Sequence, residues 1–413
     1  MKMNIMKLYL KSILFSLLLL PLIAFQGCKT EKNTGDIPTV DTTAVTYSTW
    51  MADSEIKRNP EGWTLDFNQK PKWEYTHGLI MTSMEKLYEA TGEEKYLDYI
   101  KNFAEFMIDE KGVIKTYKQS DYNIDRVQGG RFLIGLYEET GEERYKIALE
   151  ELRQQMKEHP RTSEGGFWHK KIYPSQMWLD GLYMGSTFLA RYAHAFKKPE
   201  LFDDVANQFY LMDKYAYTPE TGLYHHAWDE SKEQRWADPE TGLSSNYWGR
   251  SIGWFSMAVV DVLDYFPEDH PKRDSLIAIA QKIAEGIVRY QDEETGVWYQ
   301  VLDQGTREGN YLEASASSMY AYFLLKGVEK GYLDTKFRDA GIKAYEGIID
   351  EFIRKDEDGG ISLTRVNGVA GLGGDPYRDG SYEYYINEII RDNDPKGVGP
   401  FILASLQYES LQK

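Results

Sequence analysis

LYEATGEEKY, residues 87–96, returns as LYEETGEERY at residues 136–145. Each copy closes a segment with apolar residues at helical spacing, stops it with a glycine (Gly92, Gly141) and opens another such segment. A glycine that ends a 3.6-residue period marks a helix C-terminus, so the repeating unit is a helical hairpin, recurring 49 residues on from Leu87 to Leu136. Later segments keep the cadence less strictly: Leu182, Tyr183, Phe188, Leu189, Tyr192 and Phe196, then Ile252, Phe255, Val259 and Leu263, then Met319, Tyr320, Phe323 and Leu324. A second repeat lies between the pairs. ETGLYHH from Glu220, ETGLSSN from Glu240, ETGVWYQ from Glu294 and DGGISLT from Asp358 each read as a turn followed by a short exposed run. About twelve helices, with no extended alternating run, predict an all-α chain. Hairpins in this number either stack into an open solenoid or close into a ring. An open array needs polar capping repeats and binds along helix surfaces, whereas here the unusual chemistry sits at helix starts and turns. The expectation is an (α/α)6 barrel of about six helical hairpins, its site at a mouth made by the N-terminal ends of the inner helices.

Of the 413 residues, 42% are hydrophobic, enough for a large core. A formal net charge of −17 leaves no basic stripe for phosphates, so nucleic acid is excluded as a partner, and gripping a long polyanion is disfavoured too. A local basic pocket for one carboxylate is compatible with that balance. The N-terminus reads as an export signal: Lys2, Lys7 and Lys11 precede an apolar run from Ile13 to Phe25 that is too short to span a membrane. The run ends in FQGC at Gly27 and Cys28, similar to a bacterial lipoprotein processing site, although Phe25 replaces the usual aliphatic residue. Cys28 is the only cysteine, so no internal disulfide forms, and lipid attachment accounts for its position better than packing does. The polar stretch after it reads as a flexible tether. The expected organisation is a signal peptide over 1–27, a tether over 28–44 and a single barrel domain over 45–413. Lys29 after the cysteine fits outer-membrane sorting. The expectation is an exported lipoprotein of the outer membrane or periplasm of a gram-negative bacterium, touching membrane only through its N-terminal lipid.

WADPETGLSSNYWGRSIGW, residues 236–254, sets Trp236, Trp248, Trp254 and Arg250 around a Gly/Ser turn. Aromatic faces take the C–H surfaces of sugars and an arginine offers a planar fork to a carboxylate, so the segment suggests an acidic sugar. A helix start whose tryptophans fill the core is the alternative. Asp180, in QMWLDGLYMG, stands at a helix entrance after Trp178; Asp125, in YNIDRVQGGR, stands before Gly129, Gly130 and Arg131. Each reads locally as an N-cap. At the entrances of successive hairpins in a closed ring, however, they face one mouth, and paired carboxylates in one pocket serve general acid and base work on sugars. His225 and His226, in GLYHHAWDE, point in different directions with no HxxxH spacing near them, so the pattern sets out no zinc site and fits a hydrogen-bonding place at a pocket. His77 follows Trp73 and Tyr75 at another helix entrance, either as a polar group among stacking aromatics or as a structural histidine. No GxGxxG, GKS/GKT or GxSxG element is present, so nucleotide and serine-hydrolase chemistry lose their support, and nothing asks for a cofactor or a metal.

In the order IDRVQGGR, MWLDGLYMG, HAWDE, WADPETGLSSNYWGRSIGW, NYLEASAS and YYINEIIRDNDPKGVGPF, the chain from about Trp73 to its end resembles the unsaturated rhamnogalacturonyl hydrolases of glycoside hydrolase family 105. The unsaturated glucuronyl hydrolases of family 88 are a more distant likeness. The resemblance implies an (α/α)6 barrel and an enzyme that removes the 4,5-unsaturated uronic acid left by a polysaccharide lyase at the non-reducing end, with Δ4,5-galacturonyl-rhamnose from pectin favoured. In that chemistry an acid protonates C4 of the vinyl ether, water adds at C5, and the hemiketal opens to release a keto-uronic acid. The resemblance further implies Asp180 as general acid/base, Asp125 as its assistant, and Trp73, His226, Trp248, Arg250, Trp254, Glu313 and Ser315 as substrate contacts. His77 and Arg131 join them as polar candidates at the mouth. His225 and Ala227, around His226, depart from the expected pattern. A glucuronyl hydrolase acting on an ulvan or glycosaminoglycan type of polyanion, a non-catalytic surface glycan-binding lipoprotein and an inverting glycosidase for saturated links are the competing readings.

Overall fold

The computed structural model describes residues 45–412, so the expected signal peptide (1–27), Cys28 and tether (28–44) lie outside the described residues. The first helix, α1 (Tyr47–Arg58), is capped by Thr46, whose side chain accepts the Thr49 N–H. The first ETGEE copy then folds as the repeat predicts. α2 (Tyr75–Thr91) ends where Gly92 turns left-handed at φ 71° and returns its N–H to the Tyr88 carbonyl, and α3 (Glu94–Met107) follows at once. The second copy does the same with α4 (Gly130–Thr140), Gly141 at φ 69° and α5 (Glu143–Glu158). Both glycines adopt a conformation that a Cβ makes costly, so the helix stops there and the chain doubles back.

The third hairpin is irregular at its start. α6 (Leu179–Gly181) passes into a π turn, Leu182–Ser186, and on into α7 (Thr187–Ala195), which pairs with α8 (Leu201–Tyr215). α9 (Gly249–Leu263) pairs with α10 (Arg273–Val288), and α11 (Ala314–Glu329) with α12 (Arg338–Phe352). After a short α13 (Tyr382–Asn387) the chain ends on α14 (Pro395–Ser410), capped by Asp394 and begun by a proline, as suits a first helical position.

Round the ring, α2 packs on α4, α4 on α7, α7 on α9, α9 on α11, α11 on α14, and α14 back on α2. α3, α5, α8, α10 and α12 each cover the inner helix that precedes them, while α1 covers α14. The first and last helices therefore make the sixth hairpin, and the array closes into the expected (α/α)6 barrel. Ser48 fastens the closure: its N–H and its hydroxyl both donate to the Glu409 carboxylate, at 3.0 and 2.6 Å. Burial follows this division. Every residue of α9 is buried, as is α11 from Ala314 to Gly327, whereas α3 buries one stripe, Tyr96, Leu97, Tyr99, Ile100, Phe103, Ala104 and Met107. The strands are short antiparallel pairs between helices. Among the described residues no helix is long and apolar enough to cross a membrane.

Between the inner helices, buried charge is paired. Asp261 of α9 takes Arg131 of α4 at 2.8 Å, Lys326 of α11 at 2.7 Å and the Tyr322 hydroxyl at 2.7 Å. Burial pushes the Asp261 carboxyl up, but Lys326 and Arg131 outweigh it and hold it at about 2. Arg131, a polar candidate for the mouth, is one of these buried charges. Its Nη2 bonds Asp261 and its guanidinium lies over the Tyr183 ring, with Nε and Nη1 buried and without a hydrogen-bond partner.

Candidate active site

Asp125 belongs to a 3-10 turn, Ile124–Val127, that leads into α4. The cap of that turn is Asn123, whose side chain accepts the Asp125 N–H at 3.0 Å, so the Asp125 carboxylate caps nothing. It meets Lys170 Nζ at 2.7 Å and His169 Nε2 at 3.4 Å. Burial pushes its carboxyl up; Lys170, then His169, pull it back further, so it rests below the usual carboxylate range. His169 is itself neutral near neutral pH, because burial, only partly offset by Asp125, lowers it to about 4.

Asp180 is the second residue of α6, whose cap position is Trp178, with no side-chain capping bond. A strand pair sets its partner. Gln176–Trp178 runs antiparallel to Ala227–Asp229, Trp178 opposite Ala227, and the Leu179 N–H donates to the His226 carbonyl at 3.0 Å. His226 Nε2 is thereby brought 3.2 Å from Asp180 Oδ2. The two atoms meet off the line of a hydrogen bond, and both are buried with no hydrogen-bond partner. On its other side His226 Nδ1 is 2.8 Å from the Tyr385 hydroxyl, which burial keeps protonated far into the alkaline range.

Trp178 joins the two acids. His169 stacks on it at 4.4 Å, Tyr173 stacks at 5.1 Å, and His226 meets it edge-on at 5.2 Å. Close approach of the two acid-bearing elements depends on Gly185, in the π turn: a Cβ there would stand 2.7 Å from Ile124 Cδ1, in the turn that carries Asp125. π turns of this kind recur at functional sites because the extra residue re-aims the side chains around it.

The remaining candidates divide. Trp248 keeps a place at the site, 4.8 Å from the His226 ring and 5.8 Å from Tyr385, with its indole N–H on Gln300. Trp254 is wedged between Tyr183 and Tyr75. Arg250 donates to the Asn367 carbonyl, the Asn367 side chain, the Gly368 carbonyl and Ser315, leaving Nε without a partner. All three are 1% exposed, so the tryptophans do not form the open stacking platform expected of them. Four further candidates for substrate contact, Trp73, His77, Glu313 and Ser315, are buried with partners inside the protein. Trp73 stacks on Phe103 and gives its indole N–H to the Arg126 carbonyl, bracing the Asp125 turn from the core. His77 stacks on Phe103 and bonds the Trp63 carbonyl, and burial pulls it down to about 4. Glu313 is the N-cap of α11 and also accepts the Asn367 N–H; Ser315 bridges Glu313 and Arg250. Both are fully buried and serve as struts for Arg250.

His169, Lys170, Tyr173 and Tyr385 are part of the site and were not singled out from the sequence. Tyr385 lies in the YYINE motif already quoted. The WHKK stretch, 168–171, carries a tryptophan, a histidine and lysines shortly before Asp180, which was the available signal.

A profile of Glycosyl Hydrolase Family 88 matches residues 47–412. The structure is similar to a glycoside hydrolase from family 105 of C. acetobutylicum ATCC 824, at 48% identity and a TM-score of 0.85 over 89% of this chain and 100% of that one. The unsaturated rhamnogalacturonyl hydrolase YesR of Bacillus subtilis is 27% identical over 81% of this chain and 89% of its own. The unsaturated glucuronyl hydrolase of Bacillus sp. GL1 shares the fold, at 15% identity and a TM-score of 0.63 over 88% of this chain and 95% of that one. The match thus covers the whole ring together with both acid-bearing turns, and the chain is a glycoside hydrolase that belongs to Glycosyl Hydrolase Family 88.

Proposed function

We propose that this enzyme removes a 4,5-unsaturated uronic acid from the non-reducing end of lyase-generated oligosaccharides, with Δ4,5-galacturonyl groups of rhamnogalacturonan as its substrate. The observation that carries this reading is the unequal setting of the two acids. Asp125 is held as a carboxylate by Lys170, whereas Asp180 Oδ2 is buried beside His226 with no hydrogen-bond partner. One group is fixed in charge and the other is free to exchange a proton, as acid and base steps at a single face require. Asp180 gives its proton to C4 of the vinyl ether, and positive charge develops at C5, stabilised by the ring oxygen. Water adds at C5 and returns its proton to the Asp180 carboxylate. The hemiketal so formed opens, freeing the shortened sugar and a keto-uronic acid. Asp125 holds substrate hydroxyls. The similarity to the rhamnogalacturonyl hydrolase of Bacillus subtilis supports the choice of sugar.

The test is a panel of unsaturated disaccharides made by pectin, ulvan, chondroitin and heparin lyases, followed through the ultraviolet absorbance of the double bond. The pectin-derived compound is expected to be consumed fastest. Asp180→Asn is expected to lose roughly 10²–10⁴-fold in kcat, the range for an essential acid/base. Full activity in that variant, or turnover of saturated analogues at a similar rate, would overturn the reading.

A further inference from the structure

Of the two residues beside Asp125, one has a buried nitrogen still to be accounted for. His169 is 3% exposed, and its Nδ1 has no hydrogen-bond partner in the protein. The Ser186 hydroxyl, 1% exposed and in the π turn that follows Asp180, is also without one. Both residues line the same small chamber, together with Ile124, Trp178, Gly181 and Gln208, and its volume of about 10 Å³ is at the lower limit for a single water. Nδ1 faces the Gly181 side of that chamber, 3.3 Å from where a Cβ on that glycine would stand. Buried polar atoms left unpaired are costly, and two of them on one water-sized chamber are satisfied together by one water.

We propose that His169 is a positioning residue for the reaction: a chamber water bridging Ser186 Oγ and His169 Nδ1 fixes the imidazole as its Nε2–H tautomer, so that Nε2 donates to Asp125 Oδ1. This rests on the reading of Asp125 and Asp180 given above. The tautomer follows from which nitrogen is left to donate. With Nδ1 accepting from the water, the ring's single proton is on Nε2, 3.4 Å from the carboxylate. The ring has little freedom to reverse. It is stacked on Trp178 within 6° of parallel, its backbone N–H is held by the Gln176 carbonyl, and its carbonyl accepts the Ile124 N–H. The charged and titratable groups facing Asp125 are Lys170 at 2.7 Å, Arg126 and the Tyr75 phenol; those facing His169 are Asp125, Lys170, Asp180 and His226. With donors from both Lys170 and His169, Asp125 stays ionised while Asp180 serves as the acid, so the imidazole helps keep the two roles apart.

Two measurements test this. The first is nitrogen NMR of the whole enzyme labelled in histidine, with His169→Gln used to assign the signal. Nδ1 is expected unprotonated and Nε2 protonated across neutral pH; a proton on Nδ1 overturns the proposal whatever the activity. The second compares His169→Leu with His169→Gln, whose amide can present a donor near the Nε2 position. His169→Leu is expected to lose about 10–100-fold in kcat with KM changed under about threefold. The acid limb of its kcat profile moves to higher pH, because Asp125 has lost a donor that favours its charged form. His169→Gln restores the limb and most of the rate. An unmoved limb in the leucine variant, or a glutamine variant no better than it, overturns the proposal. If the leucine variant does not fold, the tautomer and the glutamine profile decide. A wild-type enzyme inert toward every unsaturated uronide would instead fault the reading of the reaction, and would leave the NMR result standing.

Discussion

At the residue scale, the ion pair between Asp125 and Lys170 makes the site's stability depend on pH. Because the Asp125 carboxyl is held below its usual range, the stability it contributes is present above the ordinary carboxylate value of about 4 and is lost as pH falls through the depressed one. Lys170→Met leaves a buried carboxylate without its counter-charge. The expected cost near neutral pH is about 2 kcal/mol, below the 3–5 kcal/mol of a fully buried pair because the Lys170 side chain is 23% exposed. Chemical denaturation near neutral pH and again well below pH 4 is the check: the gap between variant and wild type should narrow in acid as Asp125 protonates, and a constant gap would show that the lysine's packing, not its charge, is what matters. Asp125 and Asp180 were readable as candidates, yet their local pattern fitted N-caps equally well. The structure gives the cap of the Asp125 turn to Asn123 and that of α11 to Glu313, which had been read as a sugar contact. Capping depends on one hydrogen bond to a nearby N–H, and residue type alone does not reveal which carboxylate makes it.

Among the elements, the π turn at Leu182–Ser186 and the 3-10 turn at Ile124–Val127 set the spacing between the two acids through Gly185. Gly185→Val places carbon where Ile124 Cδ1 already stands at 2.7 Å, so the two turns must separate. Overpacking of this kind costs about 1–3 kcal/mol, and a displacement near 1 Å is expected to lower kcat by about 10–100-fold. Thermal melting alongside steady-state kinetics is the check, and a kcat within about twofold of wild type would show that the spacing does not control the rate. Hairpin elements were legible because a glycine stop and a 3.6-residue period are local signals. The Asp125–Lys170 contact was not, since Lys170 lies in a loop without periodicity and is brought to Asp125 by an isolated bridge to Asn123.

For the whole molecule, closure of α1 onto α14 makes the order of hairpins cyclic, and Val45 and Gln412 line one surface cavity. A chain with these ends linked and a new opening cut between Lys198 and Pro199, in the exposed turn from α7 to α8, is expected to fold cooperatively and keep kcat within about fivefold of the original. Failure to fold would show that the α1–α14 junction must be made in its native order. That junction also has a consequence in time. On the ribosome α1 emerges long before the helix it covers, so the sides of α2 and α11 that α14 protects stay wet until α14 has been made. Any nascent form that stops short of α14 is an open ring with two greasy lips, and a stop codon before residue 395 removes the keystone.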